Sequence, residues 1–230
     1  MAHAAPQLDH LVVAAATLAQ GVQWCEDVLG VTIGPGGEHP LMGTHNRLGL
    51  LSSDGFARCY LEVIAIAPDM VPQKNALQAR WFDLDNPQRL RRLHDQGPEL
   101  LHWVARVPQL EAALATCEAH HVHAGVATRA SRPTPQGLLE WNIAIPVDGC
   151  PAANNMWPTL ISWGDYHPTQ SMPSSGLALQ NLHVAHPLAA ELNALWRNLG
   201  ADHDRFILGP PSLSATLMTP RGEVTLKSAA

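Results

Sequence analysis

The sequence predicts an α+β chain made of two βαβββ units in tandem, followed by a shortened βαββ unit. Two observations carry this reading. A short apolar strand with a histidine near its start occurs three times, as Leu8-Asp9-His10-Leu11-Val12, Leu100-Leu101-His102-Trp103-Val104 and Asn181-Leu182-His183-Val184. Each copy is followed by a stretch with helix-like apolar spacing and then by short apolar runs parted by turn residues. A strand–helix unit repeated within one chain constrains the whole architecture, so it outweighs any single motif.

In order along the chain, the first strand spans Leu8 to Ala14 and Thr17 is placed to cap a helix. Leu18, Val22, Cys25, Val28 and Leu29 form its apolar stripe, and Gly30 stands where a left-handed C-terminal glycine belongs. After the loop Gly34-Pro35-Gly36-Gly37 come strands at Asn46 to Ser52 and Ala57 to Ile66, turning at Ser53-Asp54-Gly55, with room for one more short strand in the loop. Residues 1–68 therefore make the first unit and 69–98 a connector, in which Asn86-Pro87 opens a short helix and Gly97-Pro98 ends it. The second unit, 99–168, repeats the pattern: a strand from Leu100 to Val107, a helix through Leu110, Leu114 and Cys117, and strands at Val126 to Arg132, Gly137 to Ile145 and Thr159 to Trp163. Residues 169–230 form the third unit: a strand from Leu177, a helix ending before Gly200, and a hairpin turning at Pro220-Arg221-Gly222. All three belong to one compact body.

Composition removes several classes of function. Of 230 residues, 46% are hydrophobic and 15% charged, which excludes disorder. The net charge is -6 and the lysines are Lys74 and Lys227, so no basic face awaits nucleic acid. No apolar run reaches the length of a membrane span, and no leader peptide is evident, which points to a cytoplasmic protein. Cys25, Cys59, Cys117 and Cys150 are widely spaced and read as free thiols. The Gly-rich loop lacks the Lys-Ser/Thr of a phosphate-binding loop, so no nucleotide cofactor is expected.

The stretches Leu8-Asp9-His10-Leu11-Val12, Gly43-Thr44-His45-Asn46-Arg47-Leu48, Tyr60-Leu61-Glu62-Val63-Ile64, Thr134-Pro135-Gln136-Gly137-Leu138-Leu139-Glu140-Trp141 and Trp157-Pro158-Thr159-Leu160-Ile161-Ser162-Trp163, with His167-Pro168 after them, resemble the vicinal oxygen chelate superfamily. The likeness is to its glyoxalase-like domain branch, and it covers residues 7 to 168. The superfamily also holds glyoxalase I and the extradiol dioxygenases. The resemblance implies a curved, cup-like mixed sheet with a divalent metal on its concave face. It implies a metal-dependent lyase, isomerase or dioxygenase acting on a small oxygen-bearing molecule, or else a metal-free protein that binds a small molecule in the same cup. It also implies a monomer or a homodimer.

Strand alternation sets the candidates. Leu8, His10 and Val12 share one face, with Asp9, Leu11 and Val13 on the other. Tyr60, Glu62 and Ile64 share a face, as do His102, Val104 and Arg106. An ionisable group on an apolar face is paired, metal-bound or turned to a wet cavity, because burying it alone is costly. His10, Glu62 and His102 on one cup face would suit Fe, Mn, Ni or Zn, with Glu62 doubling as the proton acceptor. Each also has a structural reading, as a satisfied core histidine or a partner of Arg47 or Arg106. His45 is a further possible ligand, and Arg47 and Arg106 could hold a substrate carboxylate or phosphate. Trp141 would floor the pocket. The second unit's last strand has no carboxylate where Glu62 would recur; Glu140, one strand earlier, has the wrong parity. His183 and the solvent-exposed run His120, His121 and His123 are expected to be structural.

Overall fold

In this computed structural model, which describes residues 5–72, 79–134 and 137–229, the described strands join one mixed sheet. The first unit contributes β1 (Gln7–Ala14), helix α1 (Leu18–Trp24), the short β2 (Glu38–His39), β3 (Thr44–Ser52) and β4 (Cys59–Ile66). Thr17 caps α1 by accepting from the Gln20 amide, and the chain leaves through one π-helical turn, Cys25–Leu29, that ends at left-handed Gly30. Asn86 caps α2 (Pro87–Gln96) in the connector, accepting from the Gln88 and Arg89 amides. The second unit holds β5 (Glu99–Arg106), α3 (Leu110–Ala119), β6 (Val126–Thr134), β7 (Gly137–Ile145) and β8 (Thr159–Trp163). The third holds β9 (Ser174–His186), α4 (Ala189–Asn198), β10 (Phe206–Leu208), β11 (Ser212–Thr219) and β12 (Gly222–Lys227).

The strand order is β12-β11-β9-β3-β4-β1-β5-β8-β7-β6, with β2 beside β3 and β10 beside β9. The first two units meet where β1 and β5 pair antiparallel, so their first strands lie back to back at the centre. Each of these strands is interrupted once, between Leu8 and His10 and opposite the Val12/Val13 step where Leu100 and His102 flank Leu101. The irregularity is a β-bulge, which adds a residue and re-aims a side chain.

Two apolar clusters divide the core. On one face of the sheet, Leu11, Val13, Leu61, Val63, Trp103 and Leu160 pack beneath the helices. The third unit joins this side, where Trp196 and Phe206 nest against Trp103 and Trp157 at ring separations of 5.6 to 6.2 Å. It acts as a brace behind the cup, and burying each such ring contributes about 2–3 kcal/mol. On the concave face, Val12, Ile64, Val104, Trp141, Ile143 and Ile161 are roofed by Trp81, Phe82, Leu84 and Leu93 of the connector. Phe82 and Asp83 sit in the left-handed region (φ 59° and 52°). That conformation costs about 1 kcal/mol or more per residue, and Arg89 offsets it by donating to both carbonyls at 3.0 and 2.6 Å. The roof closes much of the cup and leaves space over His10 and Glu62.

Candidate active site

His10 and Glu62 come from neighbouring parallel strands and face each other across 3.6 Å, His10 Nε2 to Glu62 Oε2. Both are buried. The gap is too long for a hydrogen bond, so the two groups are coupled but not joined. Each is held from behind by its own network.

Behind His10 stands Asp9. Regular alternation would send Asp9 to the convex face with Leu11 and Val13. The bulge instead turns it inward, and Leu8 takes the convex side. Asp9 is fully buried, and its Oδ1 accepts from His10 Nδ1 at 2.7 Å. Its Oδ2 accepts from Trp163 Nε1 at 2.9 Å and from His167 Nε2 at 3.0 Å. Burial alone would raise the Asp9 pKa, but the hydrogen bonds from His10 and His167 outweigh it and hold the carboxyl well below the usual range. Asp9 is therefore a permanent carboxylate. His167 accepts the Thr169 amide at Nδ1, which leaves its proton on Nε2 for Asp9. The same turn, Pro168–Gln170, carries a capping box that locks His167 in place.

Behind Glu62 stands Asn46, whose amide donates to Glu62 Oε1 at 2.6 Å and lies 3.3 Å from His39 Nε2. The Asn46 carbonyl oxygen accepts the Gly37 amide at 2.8 Å, which fixes its orientation. His39 lies 3.0 Å from the Thr44 hydroxyl through Nδ1, and burial, reinforced by Arg132, pushes its pKa down to about 3. It is a neutral support. A side chain at Gly36 would stand 2.0 Å from the Asn46 backbone carbonyl oxygen and 2.5 Å from its side-chain Oδ1, so glycine lets the loop approach Asn46.

Tyr60 stacks on His10 at 4.5 Å and 19°. Burial, with Asp9 and Glu62 nearby, raises its pKa well above 10, so the hydroxyl stays protonated. Among the described residues this hydroxyl has no hydrogen-bond partner, and Tyr60 lines the cavity. The cavity over these groups is about 30 Å³, with Trp81, Phe82, Trp141 and Trp163 in its walls.

The sequence-predicted residues separate. His10 and Glu62 line the cavity and Trp141 forms part of its wall. His102 does not join them. Its Nδ1 is 3.2 Å from the Asn155 carbonyl, and its Nε2 accepts the Thr159 amide at 3.0 Å beside the Thr159 hydroxyl. Both ring nitrogens are spent, and burial pushes its pKa down to about 3. His45 and Arg47 share a strand face, as alternation predicts, but it is not the face of the cup. In the register of β3 on β4, Leu48 pairs with Glu62 and Arg47 with Val63, so Asn46 and Leu48 face the cup while His45 and Arg47 face away. Arg106 instead ties the start of β1 to the turn before β4, donating to the Leu8, Ala57 and Arg58 carbonyls at 3.2, 2.7 and 3.0 Å, with its guanidinium 3.9 Å from Asp9 Oδ2. Glu140 pairs with Arg129 at the sheet edge. His183, His121 and His123 face solvent.

Asp9, Asn46, Tyr60, His167 and Arg132 belong to the site and were not singled out as candidates. The available signal was a buried polar residue within each matched stretch: Asp9 beside His10, Asn46 beside His45, Tyr60 two before Glu62.

A concave sheet of paired βαβββ units, with a histidine and a glutamate from neighbouring strands of one unit facing each other, defines a protein of the vicinal oxygen chelate fold. Residues 8–200 match the family model for the glyoxalase-like domain, and the chain belongs to that family. No protein of curated function matches it by sequence. Among solved structures it is similar to a hypothetical protein from Staphylococcus aureus, with 13% identity over 98% of this chain and 86% of that one, and a TM-score of 0.53. It is also similar to methylmalonyl-CoA epimerase from Mycobacterium tuberculosis, with 18% identity over 69% of this chain and 88% of that one, and a TM-score of 0.40. At these identities the likeness is one of fold.

The fold family implies a divalent ion, and the donor set here can be tested against it. His10 Nε2 and a Glu62 oxygen are two ligands. His102, the expected third, is engaged elsewhere, and among the described residues no three His, Cys, Asp or Glu side chains converge on one point. Sites for Zn or Fe draw on three or more protein donors. The residues present do not fit the implied ion.

Proposed function

We propose that the protein is an enzyme that moves a proton on a small oxygen-bearing molecule, by lyase or isomerase chemistry, with Glu62 and His10 as the working pair. One observation carries this reading: two desolvated ionisable groups face each other at 3.6 Å, each oriented by a separate buried network. A passive binding site needs no such pair. Because Asp9 holds the proton on His10 Nδ1, the Nε2 edge faces Glu62. In this reading Glu62 acts as the carboxylate and His10 presents an Nε2–H to the substrate. A substrate that lies against the pair from the cavity meets a base and an acid.

In this reading Glu62 Oε2 takes the proton from a carbon next to a carbonyl, and the electron pair moves onto the carbonyl oxygen. The Tyr60 hydroxyl and His10 Nε2–H hold the resulting oxyanion, and Glu62 returns the proton at the neighbouring atom or to the other face. Dioxygenase chemistry is disfavoured, because activating O₂ draws on a redox metal and the third donor for one is turned away.

The test is deuterium exchange at the α-carbon of a panel of small oxo compounds in D₂O, followed by proton NMR. The native protein should accelerate exchange, and Glu62→Gln should lower the rate by about 10²–10⁴-fold while leaving the melting temperature nearly unchanged. Compounds that bind equally well to native protein and to Glu62→Gln, with no exchange by either, would favour the alternative of a metal-free binding protein.

A further inference from the structure

We infer that the site takes a monoanion with an uncharged tail, the anionic group lying on Arg132 and the tail in a second, larger space beyond it. The inference rests on the proton-transfer reading only for which end of the ligand reacts. The small cavity over His10 shares four wall residues, Leu48, Arg132, Leu139 and Pro168, with a neighbouring space of about 320 Å³. That volume is at the lower end of the range for small-molecule sites, about 300–1,000 Å³. The two spaces form an inner chamber and a vestibule that meet at Arg132.

Among the described residues, Arg132 is the single charged one in the vestibule wall. The remainder is apolar or hydroxylic, including Pro35, Pro133, Tyr166, Met172, Pro173 and Ser175. Among the described residues no carboxylate lies within ion-pair distance of its guanidinium, whereas Arg89, Arg92 and Arg129 each have one. A half-buried guanidinium without a partner is costly, and it fits a carboxylate bidentately. Burial lowers the Arg132 pKa, with Tyr60 and Glu62 opposing the shift, and the residue lines both spaces. Among the described residues of this wall a polyanionic tail finds no further cation, so a nucleotide-bearing ligand is a poor match.

Two segments build this arrangement. The strap from Trp163 to Ser175 supplies His167 to Asp9 and then walls the vestibule with Pro168, Met172 and Pro173. The Gly-rich loop seats the guanidinium: a Cβ on Gly37 would stand 1.8 Å from Arg132 Nη1. Because the obstructed atom ends a flexible side chain, Gly37→Ala should displace the guanidinium at little cost to the fold.

The experiment is calorimetric titration with α-oxooctanoate, its primary amide and an acyl-CoA thioester, on native protein, Arg132→Gln, Gly37→Ala and Glu62→Gln. The expected result is that the carboxylate binds at least about tenfold more tightly than the amide or the thioester. Arg132→Gln and Gly37→Ala should each lose that preference with melting temperatures close to native, and Glu62→Gln should keep it. Equal affinity for carboxylate and amide, tight binding of the thioester, or a preference that survives Arg132→Gln would each overturn the inference. If the carboxylate preference follows Arg132 but no α-exchange is seen, the anion site stands and the proton-transfer reading falls.

Discussion

β1 and β5 are copies of one strand, paired back to back, and they have opposite fates. Both carry a histidine at the same place in the unit, and both bulge just before it. In β1 the bulged residue is Asp9; in β5 it is Leu101. Asp9 reaches His10 Nδ1 and leaves Nε2 free toward Glu62. Leu101 has nothing to offer, and His102 turns both nitrogens to Asn155 and Thr159. One residue of difference separates a poised imidazole from a structural pin. A bulge supplies the geometry, and the side chain placed on it decides the use.

The largest expected effect tests that contrast directly. Asp9→Asn should lower the α-exchange rate by about 10²–10⁴-fold, because the amide no longer fixes the tautomer of His10. His102→Leu should leave the exchange rate per folded molecule unchanged but destabilise the protein by about 3 kcal/mol, since the Thr159 amide and Asn155 carbonyl lose a buried partner. In a chain of this size that corresponds to a fall of about 10 °C in melting temperature. Loss of exchange in well-folded His102→Leu would make the two strands chemical equals and break the comparison.

An effect of intermediate size comes from pH. His39 and His102 have folded-state pKa values near 3, below the unfolded value near 6.5. Between these limits the unfolded chain binds more protons than the folded one. Stability is therefore complete above pH about 6.5 and falls as pH drops toward 3, by up to about 1.4 kcal/mol per unit for each histidine. Urea denaturation from pH 7 to pH 5 should show this slope, and His102→Leu should show it reduced by one histidine's share. Identical slopes would mean that His102 is not held neutral.

The smallest effect concerns the support of Asp9. Trp163→Phe removes one donor from Asp9 Oδ2 but leaves His10 and His167 in place. The exchange rate should fall by no more than about tenfold. A fall as large as that of Asp9→Asn would place Trp163, not His10, at the centre of the network.

Much of the architecture was legible because it is written in short-range signals. Thr17, Gly30, Asn86 and Gly97 punctuate the helices where the sequence places them, and β7 and β8 fall at the expected bounds. The site was legible only where alternation is regular, as on β4, which puts Tyr60 and Glu62 on one face. On β3 the rule is silent about direction. Thr44 and Asn46 on one side and His45 and Arg47 on the other are equally polar, so only the pairing with β4 selects Asn46.

By itself, then, the sequence determined the repeat, the helix ends and the identity of His10 and Glu62 as polar residues on apolar strands. These depend on periodicity and capping, which act over a few residues. Tertiary structure alone decided that Asp9 turns inward, that His102 is spent, that Arg132 lines both spaces, and that a strap 158 residues away supplies His167. Those outcomes depend on a bulge, a register and a chain crossing, each settled by groups distant in sequence.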